Sequence, residues 1–204
     1  MATTEASQGQ SDTRRDQMLT AAAELIAERG LARTRIADVA ARVGTSPALV
    51  VYYFATKDGL LIEALRHSEA GFYRAVEDLL QRPATLEERL ATLVDLTISV
   101  GSQGEVQGHW GLWFELWCEA FRHPEVARDR RQLDEQWRAI IRRVVLAAVE
   151  DGEVAAVDVD RFALTWAALL DGLAVQVALE DEVVTEQVAQ EVALTFARRE
   201  LGLR

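Results

Sequence analysis

The chain has 204 residues, half of them hydrophobic, which suits one compact body or two small ones with a substantial core. Three prolines and much Ala, Leu, Val, Glu and Arg point to an all-α protein; one cysteine, Cys118, excludes an internal disulfide and a cysteine-based zinc site, and three scattered histidines lack metal-ligand spacing. The net charge is −11, yet residues 1–60 carry seven Lys and Arg against seven Asp and Glu, so the whole excess lies in residues 61–204.

Residues 1–11 have no periodicity and few apolar groups, and are expected to form a flexible tail. Arg14 and Arg15 open a helix expected over about 12–29, with Met18, Ala22, Leu25 and Ile26 as its apolar stripe and Gly30 as its stop. Two short helices come next. Thr34 has the chemistry to cap the first, and Ile36, Val39, Ala40 and Val43 recur at i, i+3, i+4 and i+7. Gly44 suits a left-handed stop, and Ser46-Pro47 restarts a helix that runs to about Tyr53. Helix, glycine turn and capped short helix make a helix-turn-helix pattern, although an ordinary helical hairpin has the same spacing. Thr45, Ser46, Pro47 and Ala48 put small and polar groups at the end where a recognition helix approaches base edges.

The stretch from Thr34 to Leu61 resembles the DNA-binding signature of TetR-family transcriptional regulators. Val39-Ala40, Gly44, Ser46, Tyr52, Phe54, Lys57 and Leu60-Leu61 fall in register with it. Ala48 replaces the usual glycine and Tyr53 the usual histidine. Val51 replaces a tyrosine that commonly contacts phosphate in the family, with Tyr52 beside it as the substitute. The resemblance implies DNA contacts from Arg14, Arg15, Thr34, Arg35, Arg42, Thr45, Ser46, Pro47, Ala48, Leu49, Tyr52, Tyr53 and Lys57. The second helix lacks the Arg, Asn or Gln of bidentate base readout. Specificity is therefore expected from thymine-methyl contacts of Pro47, Ala48 or Leu49, from hydrogen bonds of Thr45 and Arg42, and from DNA shape.

A long helix follows to about residue 81, where Arg82-Pro83 breaks it. Thr85 is expected to cap a helix to about Ser102, and Gly101, Gly104 and Gly108 mark a flexible connection. Trp110, Trp113, Phe114, Trp117 and Phe121 then form one aromatic stripe, either core or the wall of a ligand pocket. His123-Pro124 separates it from a helix to Glu150 that carries Trp137. The next helix, to about Leu179, is apolar nearly all round and carries Trp166 and Leu170; the last begins at Thr185. Two such terminal helices fit either a four-helix dimer interface or the closure of a monomer core.

Trp110 to Leu203 also resembles the ligand-binding half of the BetI-type branch, through G-L-W-F-E-L-W-C-E-A-F-R-H-P-E, Asp151-Gly152-Glu153 and Asp171-Gly172-Leu173. A choline sensor belongs to that branch, and aromatic rings suit such cations.

The expected organisation is all-α with about nine helices: a tail over 1–11, a three-helix helix-turn-helix DNA-binding domain over 12–57, and a helical ligand-binding and dimerisation domain over 58–204. The expected function is a homodimeric repressor, released from a palindromic double-stranded operator by a hydrophobic or cationic small molecule. Trp110, Trp113, Phe114, Trp117, Phe121, Trp137, Trp166 and Leu170 are the candidate ligand residues. No cofactor or metal is expected. No phosphate loop, nucleophile elbow or triad points to an enzyme. No apolar run approaches the roughly 18 residues of a membrane span and no signal peptide is read, so a cytoplasmic location is expected. The alternative is a helical dimer that binds a protein partner and not DNA.

Overall fold

The computed structural model describes residues 2–98, 107–121 and 124–203. Among the described residues the regular structure is entirely helical. The elements are α1 (Ala2–Arg29), α2 (Ile36–Arg42), α3 (Pro47–Phe54), α4 (Lys57–Leu80), α5 (Leu86–Ile98), α6 (Gln107–Ala120), α7 (Pro124–Glu150), α8 (Val159–Ala178) and α9 (Glu186–Leu201). They fall into two compact units: Met1–Arg74 with Gln107–Val126, and Ala75–Val106 with Ala127–Arg204.

Helical backbone begins at Ala2, within the stretch expected to be a tail. That stretch is proline-free and contains Ala, Glu and Gln, so little in it interrupts a helix extended backward from Arg14. The expected connection at Gly101 and Gly104 and the break at His123 lie outside the described residues. Gly108 lies in α6, which starts upstream of Trp110.

In the first unit, α1 packs against both α2 and α6. Met18, Ala22, Leu25 and Ile26 are buried, as are Val39 and Ala40 of α2, Val50 and Phe54 of α3, and Leu60 and Leu61 of α4. Val39, Ala40 and Phe54 are the core the periodicity predicts, whereas Ile36, Val43 and Leu49 are half-buried and Val50 takes the buried place on α3. Gly30 ends α1 at φ +82°, and Glu115 of α6 comes so close that a Cβ there would lie 2.9 Å from its Oε1. A side chain at Gly30 is therefore opposed by backbone conformation, whereas the end of the Glu115 side chain is free to move aside.

In the second unit, α5, α8 and α9 pack on one another. Ala189, Ala193 and Ala197 of α9 are fully buried at four-residue spacing. Such a small-residue ridge lets helix axes approach. Trp166 of α8 shows the result, since its indole N–H donates to the Ala193 carbonyl at 3.0 Å. Phe162 stacks on Trp166, with ring centres 5.6 Å apart. Arg198 pairs with Glu87 and Gln190 donates to Asp95, which joins α9 to α5 at the surface. Helix α8 is long and apolar enough to cross a membrane by length and composition alone, although Asp171 and Gln176 interrupt its apolar run. Its apolarity is used in packing: Phe162, Ala163, Trp166, Ala167, Leu170, Leu173 and Ala174 are buried.

Candidate nucleic-acid interface

Local capping chemistry builds the turn between α2 and α3. Gly44 adopts φ +66°, the left-handed conformation that lets the chain leave α2. Ser46 caps α3, its hydroxyl accepting from the Leu49 amide at 3.2 Å, and Pro47 occupies the first helical position. At the other end, Ala55 has φ +58° and Thr56 restarts the chain into α4 by accepting from the Gly59 amide at 3.0 Å. A Cβ on Gly59 would meet the Phe54 carbonyl oxygen at 2.8 Å, so α4 can leave α3 this sharply only with glycine there.

The two faces of α3 differ sharply. Val50 and Phe54 are buried, whereas Ala48 is exposed, Val51 is 43% exposed and Tyr52 is 81% exposed. Leu49 and Tyr53 flank the exposed face and are half-buried. Tyr52 and Tyr53 meet edge to face at 5.6 Å. Ser46 and Pro47 are exposed and Thr45 half-buried at the leading end. The small and polar end of the helix thus faces solvent, together with a mid-helix patch of Ala48, Val51 and Tyr52.

Several expected DNA contacts have other work in the fold. Thr34 is fully buried, and its hydroxyl donates to the Gly30 carbonyl at 2.9 Å. That corrects both of its expected roles, as the cap of α2 and as a DNA contact. Arg35 stands at the cap position instead, and its backbone amide donates to Asp38 Oδ2 at 3.0 Å. Arg15 lies over the Phe54 ring and pairs with Glu63, so it is engaged in joining α1, α3 and α4. Arg42 pairs with Glu24 at 3.1 Å and Glu28 at 2.9 Å, and the Arg42 hydrogen bond, with the charges of Arg42 and Arg29, holds the Glu28 carboxyl below its usual pKa. Lys57 is half-buried and reaches the Ala32 carbonyl at 3.4 Å. Arg14 and Arg35 are exposed. The sequence carries no signal for Arg33, an exposed cation between α1 and α2, and it marks Val51 only as a lost tyrosine, whose exposure shows once the buried face of α3 is known.

The candidate ligand residues divide between the units. Trp113, Phe114 and Trp117 are half-buried on α6 in the first, with the Phe114 and Trp117 rings edge to face at 5.9 Å. Trp110 has helical backbone, but its side chain lies outside the described residues. Phe121 is 93% exposed just past α6, which corrects its placement in the stripe's buried run. Trp137, Trp166 and Leu170 are buried in the second unit. Trp166 and Leu170, candidate ligand residues from the sequence, lie in the core of α8, which packs against α9 and α5. A cleft of about 420 Å³ opens in the second unit, between the end of α4, the start of α5 and the end of α7. None of the eight candidate ligand residues lines it. Its walls mix polar and apolar groups about evenly, with Arg143 paired to Glu77 at 2.8 Å and Arg89 donating to the Leu80 carbonyl at the end of α4.

Comparison with known proteins places these features. Residues 18–64 match the family model described as "Bacterial regulatory proteins, tetR family", and residues 83–202 that of "BetI-type transcriptional repressor, C-terminal". The chain is 30% identical to the HTH-type transcriptional regulator BetI of Paraburkholderia phytofirmans, over 94% of this chain and 98% of that protein. It is 26% identical to BetI of Proteus mirabilis, covering 96% and 95% respectively. Among solved structures, a putative transcriptional regulator from Saccharomonospora viridis in complex with choline superposes with a TM-score of 0.83 at 28% identity, covering 94% of this chain and 98% of that one.

Proposed function

The chain belongs to the TetR family of bacterial regulatory proteins, with a BetI-type C-terminal part, and from that membership we propose that it is a homodimeric repressor released from its operator by a small organic cation. It is a DNA-binding transcriptional regulator; the family supplies that much. The observation that carries the finer reading is the outward face of α3. A capped short helix buries Val50 and Phe54 and turns Ser46, Pro47, Ala48 and Tyr52 to solvent, which is the arrangement a recognition helix needs. Arg14, Arg33 and Arg35 are exposed cations suited to phosphate. The acidic remainder of the chain favours an approach in which the helix-turn-helix meets DNA.

Dimerisation through α8 and α9 is supported by their unpartnered apolar side chains. Leu164 on α8 is 58% exposed, and Val188 and Val192 on α9 are exposed to a lesser degree, on helices whose opposite faces are buried; Leu179 just past the end of α8 is exposed too. Such a surface is self-complementary across a twofold axis. A twofold pair of heads fits a palindromic operator in the cytoplasm. For the effector, half-buried Trp113, Phe114 and Trp117 suit a quaternary ammonium group, and the choline-bound neighbour supports that class.

The test is fluorescence anisotropy with DNA flanking the protein's own gene. Affinity should fall steeply between about 50 and 200 mM salt, as counterion release requires. Choline or a bulkier quaternary ammonium compound should weaken binding further. Absence of salt-dependent binding would favour a helical protein-interaction dimer instead.

A further inference from the structure

We propose that Val51 reads the C5-methyl group of a thymine in the major groove of the operator, as the base-specifying residue at the middle of α3. The inference rests on the DNA-binding reading and adds to it one residue and one chemical group. Helix α3 has the sequence P-A-L-V-V-Y-Y-F, with no charged or amide side chain. Bidentate hydrogen bonding to guanine or adenine is therefore unavailable along its length. The hydroxyl at its leading end, that of Ser46, already accepts from the Leu49 amide. What the helix presents at its centre is apolar. Ala48, Val51 and Tyr52 share one face at i, i+3 and i+4, and all three are exposed while Val50 and Phe54 are buried.

Single exposed valines are common and carry no message by themselves. Val51 differs in its position, opposite the buried face of a solvent-facing short helix and one turn along from the exposed Ala48. The tyrosine hydroxyl beside it, on a side chain 81% exposed, suits a phosphate at the rim. In the major groove the only apolar group that a standard base pair projects is the thymine methyl. Valine is stiff at χ1, so its two methyls are held in place with little entropy to lose on contact.

The experiment first selects an operator from random DNA with the full-length protein. Each thymine is then replaced by deoxyuridine, which keeps Watson–Crick pairing and removes only the methyl. The wild-type protein should lose about fourfold in affinity at one position in each half-site, the worth of one buried methyl. Val51→Ser should bind thymine and uracil at that position equally, with an unchanged salt slope. Exposure of Val51 makes this variant safe for folding, and the DNA-side arm needs no variant at all. Tolerance of uracil at every position, or a serine variant that keeps the full uracil penalty, would overturn the assignment while leaving DNA binding intact. Failure to select any operator would overturn both.

Discussion

The guanidinium of Arg15 lies 5.4 Å from the centre of the Phe54 ring and pairs with the Glu63 carboxylate, so one side chain of α1 holds the end of α3 and the start of α4 together. A cation over a ring contributes about 0.5–1 kcal/mol at a partly exposed site, and an exposed ion pair adds at most about 1 kcal/mol. Arg15→Ala should therefore lower stability by about 1–2 kcal/mol in a denaturant titration. The salt slope of DNA binding should stay as it is. A slope smaller by roughly one would mean that Arg15 contacts phosphate after all.

Ser46 both caps α3 and faces solvent, and substitutions separate the two roles. Ser46→Ala removes the acceptor for the Leu49 amide and should cost about 1 kcal/mol of stability. Ser46→Asp keeps an acceptor, and aspartate caps as well as serine does. It also brings a negative charge to the DNA-facing end, so it should fold normally and bind DNA at least tenfold more weakly. Thermal melts alongside anisotropy titrations check both outcomes.

Two tryptophans should respond in opposite ways. Trp166 is fully buried with its N–H bonded to the Ala193 carbonyl, and Trp166→Ala should cost about 3–5 kcal/mol. Trp113 is half-buried, so Trp113→Ala should cost less and chiefly reduce the thermal shift given by a quaternary ammonium ligand. An unfolded Trp113→Ala protein would assign the α6 stripe to the core alone.

Burial pushes the Asp171 carboxyl up to about 6, assisted by the charge of Asp134 and opposed by Arg130 and Arg138. The folded state thus favours the protonated form. Its contribution to stability is fully present below about 3.8 and is lost as the pH rises through about 6. Asp171→Asn should match the wild type near pH 4 and exceed it near pH 7.5. The gain is at most about 3 kcal/mol, from roughly two pH units at about 1.4 kcal/mol each. Equal melting temperatures at both pH values would remove Asp171 from the account.

The helix-turn-helix was legible in the sequence because its signals are local. Gly44, Ser46-Pro47 and the Val39–Ala40 spacing act within a few residues of where they stand. Thr34 was misread because its burial is tertiary, with its hydroxyl donating to the Gly30 carbonyl; the pairing of Arg15 with a carboxylate 48 positions along the chain was invisible for the same reason. For the aromatic stripe, periodicity defines a face and says nothing of its partner; in the fold α6 packs on α1. The partner of Trp166 was not legible either, because nothing in its own segment announces the alanine ridge of α9.

The most direct test of the central claim is hydroxyl-radical footprinting of the full-length protein on DNA flanking its own gene. Docking of two outward α3 faces predicts two protected patches on one side of the duplex, about one helical turn apart or a multiple of it. Both patches should fade together as a quaternary ammonium ligand is added. No protection at low salt, or protection without that spacing, would contradict the claim that paired α3 helices read the operator.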